Sequence, residues 1–397
     1  MHEIGFNLEN LVEQGYDGAS SMTRHISGVQ TRIREQYLKA LYMHCSSHAL
    51  NLAINDQCKL TVVRNACDTM KGTIAFLKDG HKRRIALGVS IPLFSPTRWS
   101  QKYLSIRRFR SNIETVLKTL DDLSNDSDKE TRVRALSFKC LLEKSVIIYS
   151  ICLIAKVSSF VEPLAQMLQT KGITVVVVKS AVQVLLETLK ELRANPEEIS
   201  SEMYKDSCAI LKTDELALHR VTAVERFREN APANSPEEYF HRNVLLPYLD
   251  NIIASLEERF TSNPNYFYLI LPNEPSGVEE IQSFYHLDNL KSEVTLWRKS
   301  IANQSTDKDL SSLLVSAKGY PSVYKAIQIL MVLPATSVEA ERSFSKMKTT
   351  KTPLRSSMTS GRLSDITVIR MNKDLLGDDL VELVVKSMSG PTRRMNF

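Results

Sequence analysis

The stretch Leu333-Pro334-Ala335-Thr336-Ser337-Val338-Glu339-Ala340-Glu341-Arg342-Ser343-Phe344-Ser345 joins two helices. Upstream, Ser322 to Leu333 carries apolar residues at helical spacing. Pro334 has no N–H to continue that ladder and stops it. Thr336 or Ser337 then offers a hydroxyl to cap the next helix, which the pattern predicts to run through Met347. On this second helix Glu341 stands beside Glu339 and Arg342. By residue type alone it is an exposed helix acid.

Outward from this stretch, the charge is uneven. Glu341 to Lys373 holds eight cations (Arg342, Lys346, Lys348, Lys351, Arg355, Arg362, Arg370, Lys373) against Glu341 and Asp365. Lys78 to Arg110 holds nine (Lys78, Lys82, Arg83, Arg84, Arg98, Lys102, Arg107, Arg108, Arg110) against Asp79. Two solvated helix faces and one polyanion-binding surface both fit these counts. The net charge of +6 over 397 residues permits a polyanionic partner without demanding one. With 43% hydrophobic residues and charges of both signs, the chain is long and apolar enough for a sizeable core. Six scattered cysteines and no secretory leader point to reduced thiols in an intracellular protein. The most apolar run, Val146 to Ala155, is too short to span a bilayer. No membrane and no small-molecule substrate are expected.

The first hundred residues are punctuated by Gly15, Gly18, Gly28, Gly72, Gly80 and Gly88, a pattern that suits alternating strands and helices. From Ile106 onward helical periodicity takes over, and Leu141 to Leu168 reads as a buried helix. Ile173 to Val178 has strand propensity, yet Ala181, Val182, Leu185, Leu186 and Leu189 continue it at helical spacing. A helix entered through a β-branched stretch is expected there.

The opening stretch strongly resembles the C-terminal dimerisation motif of hAT transposases. Lys351, Leu354-Arg355-Ser356, Arg362-Leu363 and a final apolar helix around Ile366 to Met371 continue the resemblance in register. Upstream, Gly15-Tyr16-Asp17-Gly18-Ala19-Ser20-Ser21-Met22 followed by Gly28-Val29-Gln30 resembles the motif around the family's second catalytic aspartate. His44-Cys45-Ser46-Ser47-His48 resembles its CxxH motif, Thr97-Arg98-Trp99 its RW motif, and Tyr239 to Phe260 the segment closing its helical insertion. The likeness covers nearly the whole chain and is nearest the domesticated, zinc-finger-MYM-like or repressor-like branch.

The resemblance implies an α/β fold of predominantly α content, in which a ribonuclease-H-like domain is interrupted by a large all-helical insertion. The expected boundaries are 1–110 for the first part of that domain, 111–315 for the insertion, 316–385 for the dimerisation segment that completes the core, and 386–397 for a tail. The implied chemistry is metal-assisted strand cleavage and transfer, with carboxylates holding magnesium. Asp17 and Glu341 match the second aspartate and the glutamate. Without the family, Asp17 reads as a turn residue before Gly18. The first aspartate is expected upstream. Only sixteen residues precede Asp17, none is an aspartate, and Glu3, Glu9 and Glu13 lack a strand-like context. The chain is therefore expected to be N-terminally truncated and inactive, needing no cofactor; an active form would use magnesium.

Cys45 and His48, with Cys58 and Cys67, give C-x2-H-x9-C-x8-C, which is no familiar zinc signature, so structural packing is expected. Arg98 and Trp99 are the expected DNA contacts, phosphate for the one and base stacking for the other; a core tryptophan fits equally. Leu333, Pro334, Arg342 and Phe344 are the expected dimerisation residues, with apolar helices around Leu330 and Val368 supplying the surface. The functional expectation is a homo-oligomeric interaction module, with an active transposase fragment and a nuclear DNA-binding regulator as alternatives. The run His81-Lys82-Arg83-Arg84 is a weak nuclear signal.

Overall fold

The computed structural model describes residues 7–24, 27–94, 99–218, 233–261, 278–301 and 310–373, with positions 377, 380, 382, 383 and 386 beyond. It divides into two compact units, Met1–Thr336 and Ser337–Phe397.

The first unit begins with a short turn and strand β1 (Glu13–Tyr16). The chain crosses through helices α1 (Ser20–Thr23) and α2 (Val29–Gln36) and returns as β2 (Leu41–His44). The two strands are parallel, paired from Glu13↔Leu41 to Tyr16↔His44. The buried Gln14 locks this small βαβ turn: its Nε2 donates to the Gln30 and Ala40 carbonyls, each at 2.9 Å. Buried amides need such partners, so one side chain satisfies the crossover and the strand entry together.

The other elements described in this unit are helices. In order come α3 (Ser46–Asp56), α4 (Thr61–Lys78), α5 (His81–Leu87), α6 (Trp99–Ser111), α7 (Ile113–Leu123), α8 (Lys129–Leu142) and α9 (Ser145–Met167). Then follow α10 (Val175–Ala194), α11 (Glu197–Leu211), α12 (Pro236–Phe240), a π-helical turn at His241–Leu245 and α13 (Leu246–Thr261). The unit closes with α14 (Val278–Tyr285), α15 (Leu290–Ile301), α16 (Leu310–Ser316) and α17 (Pro321–Val332).

Helix α9 is the centre of the core. It is apolar nearly all round and packs against α4, α6, α8, α10 and α11. Among the described residues it is the one helix long and apolar enough to cross a membrane, and 67% of that stretch is buried against the protein itself. Its composition is therefore that of a core helix, mostly covered by its neighbours. Helix α10 starts where the β-branched run does. Thr174 caps it by accepting from the Val177 N–H, and Val178, Val182, Leu185 and Leu189 are buried at helical spacing.

Over the first hundred residues the expectation of alternating strands and helices is corrected. Among the described residues there, only β1 and β2 are strands, and the remainder is helix and turn. Gly72 shows why the glycines misled. It lies inside α4, and a Cβ there would stand 2.9 Å from Cε1 of Phe138 on α8. Its role is close packing between helices, not chain breaking. Gly88, by contrast, ends α5 with φ of 65°.

Far along the chain, α13 returns to α3. The Asp56 carboxylate receives Arg259 at 2.6 Å and the Ser255 hydroxyl at 3.2 Å, while Asn251 donates to the Asp56 carbonyl at 3.1 Å. The end of α17 returns to the strand pair. Leu333 and Ala335 are buried, and the Ser46 N–H at the start of α3 donates to the Ala335 carbonyl at 3.1 Å.

The second unit contains α18 (Val338–Thr350), a short turn at Pro353–Arg355 and α19 (Ser360–Met371), with α18 and α19 packed together. Ser337 is the residue before α18, but its hydroxyl donates to Glu341 Oε1 at 3.3 Å instead of capping a backbone N–H. Arg370 crosses from α19 to Thr350 Oγ1 at 2.5 Å and ties the pair.

Candidate functional site at the end of the strand pair

Parallel strands place their exposed functional loops beyond their C-terminal ends. Here those ends are Tyr16 and His44. Asp17 follows β1 directly and is exposed. Its Oδ1 accepts from the Ala19 N–H at 3.2 Å, the turn geometry that Asp-Gly predicts, and its carbonyl accepts from the Tyr42 hydroxyl at 3.3 Å. The ladder continues one residue past β2, because the Cys45 N–H donates to the Tyr16 carbonyl at 2.9 Å.

Gly18 is where a side chain is excluded. A Cβ on it would lie 3.1 Å from Nε2 of both His44 and His48. The two imidazoles, from the end of β2 and the first turn of α3, have centroids 5.2 Å apart. His44 Nε2 is buried with no hydrogen-bond partner. Burial, then the neighbouring His48 and Arg259, push the His44 pKa down, and Asp17 opposes them. His44 is therefore a neutral ring at physiological pH. Tyr42, stacked between Tyr16 and His44, is pushed up to about 12 by burial, Asp17 and Cys45.

Glu13 opens β1, which corrects the expectation that it lies outside a strand-like context. Its Oε2 is buried and has no partner. Burial pushes its pKa up to about 8, so it holds a proton near neutrality. Two positions along, Gly15 meets Pro334: a Cβ on Gly15 would be 2.8 Å from Pro334 Cβ and Cγ. Pro334 thus packs on the strand that leads into Asp17.

Of the other expected site residues, Cys45 is 1% exposed and precedes α3, a packing position. His48 sits one turn into that helix. Leu333 is buried in the core of its own unit, as is Leu330, so neither offers an outward apolar surface. Pro334 is half-buried. In the second unit Glu341 is exposed on the first turn of α18, Arg342 pairs with Glu339 at 2.9 Å, and Phe344 is 64% exposed. Trp99 begins α6, and Arg98 lies outside the described residues. Asp17 and Glu341 fall in different units.

A magnesium site needs several oxygen ligands converging on one point. Among the described residues, no three His, Cys, Asp or Glu side chains form such a group.

The basic block of 78–110 is largely spent on internal partners. Lys82 pairs with Asp126, Arg83 with Asp79, Arg107 with Glu162 and Arg110 with Asp206. Arg83 also stacks 4.7 Å over the Phe76 ring, and Lys102 is buried against Asn55 at 2.7 Å. In the second unit Lys346, Lys348, Lys351, Arg355 and Arg362 are all exposed. Sequence reading gave no site role to Glu13, Tyr42 or Lys102, and named His44 only within the CxxH-like stretch. Only the two residues adjoining motifs, His44 and Tyr42, carried a usable signal.

Residues 286–372 match the hAT family C-terminal dimerisation region, so the chain carries that region at its end. It is also homologous over 98% of its length to the 52 kDa repressor of the inhibitor of the protein kinase, at 22% identity for the Homo sapiens protein and 23% for that of Mus musculus. The chain spans 57% of the length of each of these relatives. The repressor-like, transposase-derived reading of the sequence stands on both findings.

Proposed function

We propose that the chain is the self-association and interaction portion of a hAT-derived regulatory protein, and that it acts without cutting DNA. The observation that carries this is the exposed apolar surface within the matched dimerisation region. Phe344 and Met347 lie one turn apart on α18 at 64% and 38% exposure, and Val368 and Ile369 on α19 at 58% and 53%. No residue of α19 is fully buried. Large apolar side chains left outside a packed helix pair are the ordinary mark of a protein interface.

A ribonuclease-H-like core is the reading of the βαβ turn that suits the family, with Asp17 at its strand end, the helical segment of 111–315 as an insertion, and 316–385 completing it. A vestigial role for Asp17 and Glu341 agrees with the Asp17 side chain serving its own turn and with Glu341 being engaged by Ser337. Action in the nucleus rests on the relatives being named repressors. It does not rest on residues 81–84, since Lys82 and Arg83 are drawn into packing and ion pairs.

Sedimentation equilibrium of the full chain tests the proposal. The wild type is expected to be dimeric or larger at micromolar concentration, and Phe344→Asp combined with Val368→Asp to be monomeric with unchanged circular dichroism. A monomeric wild type, or a double variant that still associates, would falsify it. Magnesium-dependent nicking lost in both Asp17→Ala and Glu341→Ala would overturn the non-cutting reading. A second reading, DNA binding, is favoured by the exposed cations of the second unit, Lys346, Lys348, Lys351, Arg355 and Arg362 among them. It requires affinity that falls steeply with salt and weakens when these cations are neutralised.

A further inference from the structure

Three prolines of the chain follow a hydroxyl residue: Ser95-Pro96, Ser235-Pro236 and Thr352-Pro353. Ser95 lies outside the described residues. The Ser235 hydroxyl accepts from the Glu238 N–H at 3.2 Å and so caps α12, and two acids, Glu237 and Glu238, follow its proline. Thr352 differs on both counts. It stands between α18 and α19, its backbone is extended at φ of −95° and ψ of 166°, and its side chain does not cap the turn Pro353–Arg355 that follows. Two cations flank it in place of acids, and Lys351, Pro353, Arg355, Ser356 and Ser357 are all exposed.

We propose that Thr352 is a phosphorylation site for a proline-directed serine/threonine kinase, read through Pro353 and Arg355. A residue before proline is steered out of the helical region into the extended one. A kinase cleft takes its substrate extended, so Thr352 meets it with little left to order. Pro353 has no N–H, so a pocket that cannot satisfy a donor at this place accepts it and rejects other residues. Arg355, three residues after Thr352, offers its guanidinium to an acidic group of the kinase. The turn holds by the Arg355 N–H donating to the Thr352 carbonyl at 2.8 Å, and an exposed turn of this kind opens locally at small cost.

The phosphoryl donor is ATP. Thr352 Oγ1 attacks the γ-phosphorus, the bond to the β–γ bridging oxygen breaks, ADP leaves, and the hydroxyl proton passes to the catalytic aspartate of the kinase. Residues 337–373 hold eight cations against three acids, Glu339, Glu341 and Asp365, a net charge of +5. The phosphate arrives between Lys351 and Arg355 and carries about −1.5 to −2 charges at neutral pH. It thus cancels up to about two of those five positive charges and weakens the attraction of this unit for polyanions. That consequence rests on the DNA-binding reading; the site itself does not.

The test incubates the full chain with ATP and a cyclin-dependent kinase as the proline-directed probe, and maps phosphopeptides by mass spectrometry. Phosphate is expected at Thr352. Pro353→Ala is expected to abolish modification of Thr352, and Arg355→Ala to lower its kcat/KM about tenfold through loss of one charge-assisted contact. The proposal is overturned if the wild type takes phosphate at Ser95 or Ser235 and none at Thr352, or if either variant is modified at Thr352 as fast as the wild type. The mapping uses the wild-type chain, so it decides the site whatever the variants do to folding and whether or not the chain binds DNA.

Discussion

Replacing Glu13 by Gln separates the shape of a buried carboxylic acid from its charge. In the folded chain Glu13 titrates near 8, raised by burial from an ordinary value of 4.5. The native state therefore keeps a proton that the unfolded chain releases. Stability is fully present below pH 4.5 and is lost as the pH climbs toward 8. Each pKa unit corresponds to about 1.4 kcal/mol, so the shift from 4.5 to about 8 amounts to about 5 kcal/mol once titration is complete. Gln approximates the protonated acid at every pH. Relative to wild type, Glu13→Gln is expected to be more stable by about 1 kcal/mol at pH 5, about 3 at pH 7 and about 5 at pH 9. Urea unfolding followed by the emission of Trp297, which is 0% exposed, reads this directly. A gap that stays constant between pH 5 and 9, or narrows, refutes a buried, proton-holding Glu13.

Two further substitutions probe how the distant parts of the first unit are held. Gly15→Ala drives a methyl to within 2.8 Å of Pro334, an overpacking expected to cost about 1–3 kcal/mol; an unchanged melting temperature would mean that the 333–335 stretch does not press on β1. Asp56→Ala removes the acceptor of Arg259, Ser255 and Lys59, with an expected loss of about 2 kcal/mol. Hydrogen exchange in α13 should accelerate more than in α9, and equal acceleration in the two would contradict this anchoring.

Local signals made several elements legible in the sequence. Pro334 and the hydroxyls after it marked the break between α17 and α18, and the spacing of Val182, Leu185 and Leu189 outweighed β-branching in α10. Asp17 was legible twice over, as a turn former and through the motif around it, and the structure shows the turn. What stayed hidden depended on partners far away in the chain. Glu13 looked like a loop acid because burial comes from what packs over a strand, and that includes Tyr285, whose hydroxyl donates to the Val12 carbonyl at 3.5 Å. The basic block of 78–110 looked like a free surface because Asp126, Glu162 and Asp206 lie well outside any window in which charges are counted. Gly72 carried the composition of a break and the geometry of a contact.

The return of Tyr285 to Val12, across 273 residues, also sets an order of events during synthesis. At about 5–20 residues per second, roughly 14–55 s separate the emergence of β1 from that of the helices that cover it. The strand pair is thus made long before it is completed. For that interval a short parallel ladder waits with its edges unpaired, a state open to wrong pairing with another nascent chain. Changes at Gly15 or at 333–335 act on this waiting period as well as on the finished fold. Their first visible effect in a cell is a lower yield of soluble protein and a heavier demand on chaperones.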